Sequence, residues 1–241
     1  MLLAIDTSTR YAGVLLWKDG QQIASRSWYS RQSHTKELLP AIDGILKDAA
    51  LKPADLTTIA IALGPGGFSA LRVGMSAAKG FCLALDTPLI GISTLEMEAW
   101  PYANLGLPVC PILDIGRGEV AWAIYQSSDA AWRQAREPEI ASLPDFSRSI
   151  PQGSIICGEG ISIYGAELRQ ALSEKAVVVE YPGPNVRLWA LAKLASERLA
   201  QDKADDAATL QPFYLRRPTI TKANPPIKVK FGLDPKMPGA H

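Results

Sequence analysis

The chain has 241 residues, of which 47% are hydrophobic and 20% are charged, and its formal net charge is +1 at pH 7. This is an ordinary globular composition, and it excludes a largely disordered chain. No apolar run exceeds six residues, whereas a bilayer span needs roughly 20, so we expect no membrane segment and no membrane partner.

The N-terminal residues and the cysteines indicate the compartment. Residues 1–6 contain no basic residue and end on Asp6, unlike a secretory signal peptide, which predicts a cytoplasmic protein. The three cysteines, Cys82, Cys110 and Cys157, are odd in number and far apart. They therefore indicate buried free thiols rather than a disulfide framework or a zinc site.

The charges are unevenly spread along the chain. From Arg216 to His241 there are six Lys or Arg residues and one acid, which leaves 19 basic and 23 acidic residues in the remainder. We interpret this as a mildly acidic body followed by a flexible basic tail over residues 219–241. The lysines of this tail are candidates for contacts with nucleic-acid phosphates.

The first predicted elements are strands. An apolar run over residues 2–5 ends at Asp6, and a second run covers residues 13–17. Asp19-Gly20 is typical of a hairpin turn and leads into a third strand over residues 22–28. Ser33 can then cap a helix, whose apolar side chains recur at helical spacing: Leu38, Leu39, Ile42, Ile45 and Leu46.

A glycine-rich segment follows in the middle of the first half. The β-branched run of residues 58–63 predicts a strand, which opens into Gly64-Pro65-Gly66-Gly67 and a helix from Ser69 to about Leu85. Residues 88–92 predict another strand. A helix then begins at Thr94, and Pro101 shortens or kinks it.

The opening pattern returns in the second half. Residues 109–114 form an apolar run ending in Asp114, and a turn and a strand over residues 119–125 follow, as they do after Asp6. Residues 154–157 run into Gly158-Glu159-Gly160 and a helix to about Ser173, and a last amphipathic helix covers residues 187–201. The sequence therefore predicts a duplicated α/β fold with one lobe over residues 1–104 and another over residues 105–218.

The turns after Asp6 and Asp114 are candidate nucleotide loops. Backbone N–H groups of such turns can face a phosphate while the carboxylate holds a metal or a water molecule. The alternative, a hairpin turn used twice, stays open because an aspartate at a strand end is a common turn former. The candidate loop residues are Asp6, Thr7, Ser8, Gly66, Gly67, Asp114, Gly158 and Gly160.

The sequence offers little for catalysis. The glycine loop lacks the lysine of a phosphate-binding P-loop, and Leu71 stands where a nucleophile elbow around Ser69 would need glycine. His34 and His241 are the only histidines, so neither a serine hydrolase dyad nor an ordinary zinc or iron site can be built. We predict no catalytic residue and no metal site, and we assign Ser69 to the helix N-cap.

The helix over residues 70–85 carries apolar side chains over an arc of roughly 200°, whereas one buried face needs only about 100°. The helix is therefore either sandwiched within its own lobe or in contact with another protein through its second face. The helical pattern alone does not separate these two interpretations.

Residues 1–218 resemble the TsaB (YeaZ) family of tRNA threonylcarbamoyladenosine biosynthesis. The segments that carry this resemblance are residues 3–8, 64–74, 78–80, 91–96 and 214–216. The chain departs from the family at Gly67, Ser69 and Ala70, where the family usually has Ser, Thr and Gly. It also departs at Ile115 and Gly116, where the family tends to Ala and Arg, and at Ala121, where the family tends to Tyr.

The resemblance implies the two-lobed actin/Hsp70/sugar-kinase fold and a larger paralogous partner, TsaD, which performs the transfer. That paralog binds its metal partly through a His-x-x-x-His pair, and the matching positions here are Thr94 and Glu98. The resemblance further implies that the helices after Ser33 and Gly67 pair with the same helices of the partner. The predicted interface residues are Leu38, Leu39, Ile42, Ile45, Leu71, Val73, Gly74, Met75, Ala78 and Cys82.

On this basis the chain is expected to be a non-catalytic scaffold and activator. With TsaD and the ATPase TsaE it would support transfer of threonylcarbamoyl to the adenosine next to the anticodon of tRNAs that read ANN codons. Any ATP would be used by the complex, tRNA would bind through the complex, and the isolated chain can form a homodimer. The alternatives are a small-molecule kinase or ATPase of the same fold, and a peptidase.

Overall fold

The computed structural model describes residues 1–31, 33–128 and 131–216. These residues form two five-stranded sheets and their flanking helices. The predicted basic tail, residues 219–241, lies outside the described residues.

The first sheet has the strand order β3-β2-β1-β4-β5. Strands β1 to β3 are antiparallel, and β4 and β5 continue the sheet parallel to β1. All five side chains of β1 are buried, as expected for a central strand covered on both faces. The strands are β1 Leu2–Asp6, β2 Tyr11–Lys18, β3 Gln21–Tyr29, β4 Thr58–Gly64 and β5 Leu89–Ser93.

The second sheet repeats this topology with the order β10-β9-β6-β7-β8. Its first three strands are again antiparallel, and β9 and β10 are parallel to β6. Asp6 and Asp114 therefore occupy equivalent strand ends, which confirms the predicted duplication. The strands are β6 Val109–Asp114, β7 Glu119–Ser128, β8 Ala131–Ser142, β9 Ser154–Cys157 and β10 Ala176–Val178.

The helices largely follow the sequence pattern, with one correction at a helix start. Ser33 is the N-cap of α1, as predicted, although its side chain accepts no capping hydrogen bond. The N-cap of α2 is Gly67 and not Ser69, because the helix already begins at Phe68. The helices are α1 His34–Asp48, α2 Phe68–Leu85, α3 Thr94–Ala99, α4 Leu143–Ser149, α5 Ile161–Ala171 and α6 Pro184–Leu199.

Alternating residues of β1 contact the two helical layers that cover opposite faces of the first sheet. Leu3 and Ile5 belong to the core cluster that includes α1 and α2, whereas Leu2 and Ala4 belong to the cluster that includes α6. The sequence analysis had assigned α6 to the second lobe, residues 105–218. It returns to the first sheet because the second apolar face of that sheet would otherwise be exposed to water.

The three cysteines are free and buried, as predicted. Helix α2 is the one helix in the described part of the chain that is long and apolar enough to span a membrane, with a mean hydropathy of 1.2 over 18 residues. A core helix of a globular protein has the same composition, and α2 packs against the first sheet through Met75, Ala78 and Cys82.

Candidate functional site

The carboxylate of Asp6 lies at the end of β1 and is only 2% exposed. Its Oδ1 accepts hydrogen bonds from the backbone N–H of Ser8 (2.8 Å) and from the Ser8 hydroxyl (2.6 Å). The Thr7 hydroxyl donates to the carbonyl oxygen of Ala70 at 2.8 Å, which ties this turn to the start of α2. One oxygen of Asp6 is therefore already used by its own turn.

The other oxygen of Asp6 is bound by Arg187, a fully buried residue of α6. Nε of Arg187 lies 2.7 Å from Asp6 Oδ2, and Nη1 lies 2.9 Å from Glu98 Oε1 and 2.7 Å from Glu159 Oε2. One guanidinium thus contacts three carboxylates. This cluster, Asp6, Glu98, Glu159 and Arg187, is called the arginine cluster below.

The remaining donors of Arg187 are also used. Nη2 donates to the Thr9 hydroxyl at 3.0 Å and to the carbonyl oxygen of Tyr11 at 2.8 Å. A guanidinium has five N–H donors, and each of them has an acceptor here. The Thr9 hydroxyl in turn donates to Glu159 Oε2 at 2.7 Å, which completes the network.

The arginine cluster joins the two lobes. Asp6 and Thr9 belong to the first sheet and its β1–β2 turn, whereas Glu159 follows β9 of the second sheet. Arg187 stands between them, at the strand ends that carry the candidate nucleotide loops. Both oxygens of the Asp6 carboxylate are therefore engaged within the protein.

The charges of the arginine cluster do not balance, because three carboxylates surround one cation. Burial raises the pKa of Glu98 to about 7, and the attraction of Arg187 offsets part of this rise. Burial alone would lower the pKa of Arg187, but Asp6 and Glu98 hold it well above its ordinary value. Arg187 therefore stays charged, and Glu98 exchanges its proton near neutral pH.

The glycine loop before α2 is packed against the turn after β1. A Cβ atom added to Gly66 would overlap the carbonyl oxygen of Ser8, and the N–H of Gly67 donates to that oxygen at 2.8 Å. A Cβ atom on Gly74 would overlap the hydroxyl of Thr7. These glycines allow close packing of two protein segments, and the N–H of Gly67 is used internally.

The second pair of candidate loops is engaged in the same way. A Cβ atom on Gly158, which has φ of +100°, would lie 2.5 Å from the carbonyl oxygen of Ile112, and the N–H of Gly160 donates to that oxygen at 3.0 Å. Asp114 is exposed, and its Oδ1 accepts from the N–H of Gly116 (3.1 Å) and the Tyr164 hydroxyl (2.7 Å). The bond from Gly116 is that of a turn former, and the bond from Tyr164 ties the turn to α5.

The residues of the predicted partner face differ in their exposure to solvent. Leu39 is 55% exposed and Val73 is half-buried, so both are accessible. The other eight residues are buried in their own lobe, because the apolar stripes of α1 and α2 cover the first sheet. These eight residues are Leu38, Ile42, Ile45, Leu71, Gly74, Met75, Ala78 and Cys82.

An open groove runs between α1 and α2 beside these two accessible residues. Its volume is about 460 Å³, and it is mainly apolar. Its floor and rim are formed by Thr35, Leu38, Leu39, Arg72, Val73, Ser76 and Ala77. We call it the α1–α2 groove. Met75 is buried on the core side of α2, whereas Val73 is half-buried and also lines the groove.

The roles of Arg187 and Glu159 were not predicted from the sequence. A possible signal was a charged residue in register with an apolar stripe, because Arg187, Leu191 and Leu194 share the buried face of α6. His34 starts α1, as predicted, and its Nε2 lies 3.2 Å from the carbonyl oxygen of Thr9. Within residues 1–31, 33–128 and 131–216, no group of three or more metal-ligating side chains is arranged to hold a metal ion.

Comparison of the sequence with known proteins finds a matching family model and similar proteins. Residues 28–223 match the family model described as TsaD, tRNA N6-adenosine threonylcarbamoyltransferase. Over 230 residues the chain is 30% identical to the tRNA threonylcarbamoyladenosine biosynthesis protein TsaB of Escherichia coli (strain K12), covering 93% of this chain and 98% of that protein.

Solved structures give the same relationship. YeaZ from Pseudomonas aeruginosa is 25% identical with a TM-score of 0.70, and the match covers 89% of this chain and 99% of that one. The inorganic polyphosphate/ATP-glucomannokinase from Arthrobacter sp. strain KM is 12% identical with a TM-score of 0.50, covering 82% and 98%. At that identity the likeness concerns the fold alone.

Proposed function

The chain belongs to the TsaB family and carries the TsaD-type domain, and from this membership and the geometry of the arginine cluster we propose that it is a non-catalytic activating subunit. It takes part in threonylcarbamoyladenosine biosynthesis as a partner within the TsaD-containing tRNA modification complex. In this proposal the transfer chemistry belongs to the larger paralog.

The observation that carries the proposal is the saturation of Arg187. All five of its N–H groups bind acceptors, including Asp6 Oδ2 and Glu159 Oε2. A carboxylate that would otherwise hold a metal ion or a water molecule at the end of β1 is neutralised by an internal cation. This supports a cleft that serves to hold the lobes together and not to turn over a nucleotide.

The start of α3 supports the same assignment. The resemblance places the histidine pair of the catalytic paralog at Thr94 and Glu98 of this chain. Thr94 is completely buried, and Glu98 is bound to Arg187. The chain therefore has no histidine at either position, and the carboxylate that replaces one of them is already bound to an internal cation.

The α1–α2 groove is the surface that we assign to the TsaD paralog. It is apolar and accessible, and Leu39 and Val73 line it. The complex would further include the TsaE ATPase, which would supply the ATP-dependent step. The substrate would be the adenosine next to the anticodon of tRNAs that read ANN codons, reached through the assembled complex in the cytoplasm.

Two substitutions on α2 separate folding from assembly. Met75→Arg places a charge in the core, which costs several kcal/mol and should lower the melting temperature sharply. Val73→Arg keeps its charge hydrated in the free subunit, so it should fold normally and lose co-purification with the TsaD paralog. If well-folded Val73→Arg binds the paralog as the wild type does, the α1–α2 groove is not the interface.

Reconstitution tests the activating role. The isolated chain should neither modify tRNA nor hydrolyse ATP. Adding it to the TsaD and TsaE proteins of the same genome, with threonylcarbamoyl adenylate as the donor, should restore threonylcarbamoyl incorporation into tRNA with release of AMP. Turnover by the isolated chain that Asp6→Asn abolishes would overturn the non-catalytic assignment.

The second candidate, a small-molecule kinase or ATPase, is favoured by the fold shared with the glucomannokinase. The two functions differ in their response to nucleotide. A kinase cleft would be stabilised by millimolar ATP and Mg²⁺, whereas a cleft closed by Arg187 should give an unchanged melting temperature.

A further inference from the structure

Arg72, on the solvent side of α2, lines two cavities at once. One is the α1–α2 groove, and the other is a cavity of about 320 Å³ on the opposite side of α2. The second cavity is lined by Arg72, Met75, Ser76, Lys79, Gln211, Pro212 and Tyr214. Arg72 therefore stands on the ridge between two open depressions, where a docked surface would meet it.

The guanidinium of Arg72 is held in place by aromatic rings. Its central carbon lies 4.1 Å from the centroid of the Phe68 ring, and that ring packs 4.9 Å from the ring of Tyr214. Stacking of this kind fixes the plane of a guanidinium and leaves its edge free to bind a carboxylate in bidentate fashion. Within the described residues Arg72 has no ion pair and no hydrogen-bond partner.

Helix α2 itself supplies no acid to Arg72, because it contains no acidic residue. Its other cation, Lys79, lines the same cavity, donates to the carbonyl oxygen of Ala208 at 3.2 Å and helps to lower the pKa of the nearby Asp206. Two acids of α1 are already engaged, because Glu37 accepts from the Trp28 indole at 3.0 Å and Asp43 pairs with Lys47 at 2.6 Å. The exposed ridge of α2 therefore carries positive charge that nothing on α2 offsets.

We propose that Arg72 is the anchoring cation of this surface and binds a carboxylate of an acidic partner. This inference rests on the proposed function and specifies the partner's chemistry: apolar side chains for the α1–α2 groove and an acid for Arg72. A second copy of this chain fits less well, because an α2-to-α2 contact would bring Arg72 and Lys79 against the same cations. Like charges at an interface are a strong means of rejecting a wrong partner.

The proposal is tested with three variants of Arg72, namely Arg72→Glu, Arg72→Ala and Arg72→Lys. The matched control is Arg133→Glu. Arg133 is an exposed arginine on β8 of the second sheet, so its variant carries the same charge change elsewhere. Affinity for the TsaD paralog of the same genome would be measured by calorimetry at two salt concentrations. Truncation of a buried interfacial charge weakens binding roughly 30-fold or more, and Arg72→Lys should lie between wild type and Arg72→Ala.

The outcomes separate this inference from the proposed function. If the wild type does not bind the paralog, the proposed function fails; if Arg72→Glu binds as tightly as Arg133→Glu, only the anchoring role fails. A wild-type dimer in sedimentation that Arg72→Ala dissociates would make a second copy the occupant and overturn the proposal. Loss of tRNA affinity with intact paralog binding would assign Arg72 to a phosphate and also overturn it. Rescue of Arg72→Glu by an Asp or Glu to Arg change in the paralog would support it.

Discussion

Replacing Arg187 by methionine should destabilise the protein more than the same replacement at a partly exposed arginine. The variant keeps most of the side-chain volume but leaves Asp6, Glu98 and Glu159 without their cation, and the side chains of the first two are at most 4% exposed. Removing one member of a buried ion pair costs about 3–5 kcal/mol, out of a total stability of about 5–15 kcal/mol. At about 2–4 °C per kcal/mol for a chain of this size, the melting temperature should fall by roughly 6–20 °C.

Arg198 on the same helix provides the matched control. It also pairs with a glutamate, Glu96, at 2.7 Å, but its side chain is 36% exposed. A partly hydrated pair contributes about 0–1 kcal/mol, so Arg198→Met should shift the melting temperature by only a few degrees. Arg187→Lys keeps the charge but offers three donors in place of five, and its stability should be intermediate.

Thermal unfolding followed by circular dichroism at pH 7 and pH 5 is the assay. Arg187→Met should recover part of its lost stability at pH 5, because Arg187 lowers the pKa of Glu98 and its removal lets the folded protein keep the Glu98 proton to higher pH. If Arg187→Met and Arg198→Met melt within about 2 °C of each other at pH 7, the arginine cluster does not hold the lobes together and the reasoning is refuted.

Two further predictions concern the same region and the helix beside it. Burial raises the pKa of Glu98 from 4.5 to about 7, so the native protein keeps a proton that the unfolded chain loses; stability should fall as pH rises through this window. Glu98→Gln should flatten that slope in melting curves from pH 4.5 to 7.5, and an unchanged slope would assign it to another group. Gly66→Ala should lower the melting temperature, because the added Cβ atom would overlap the carbonyl oxygen of Ser8. Gly80→Ala has open space around it and should stabilise α2 by about 0.5–1 kcal/mol. Equal shifts in melting temperature would contradict the packing argument.

Local pattern was enough to predict most of the elements. Apolar runs ending in Asp6 and Asp114 predicted the duplicated strands, and helical spacing predicted α1 and α2. Strand β8 was missed because Arg133, Arg136 and two glutamates interrupt its apolar alternation, and its register comes from pairing with β7. The sequence of one strand does not show which strand it pairs with or in which register.

The sequence by itself determined the α/β duplication, because periodicity and turn residues act over a few neighbouring positions. Tertiary structure alone decided the rest. Arg187 and Asp6 lie 181 residues apart, and their contact exists only because the first sheet has a second apolar face that α6 must cover. The same packing decides that Met75 is buried and Val73 accessible. Apolar residues cover about 200° of α2, and only the position of the first sheet determines which part of that arc is buried.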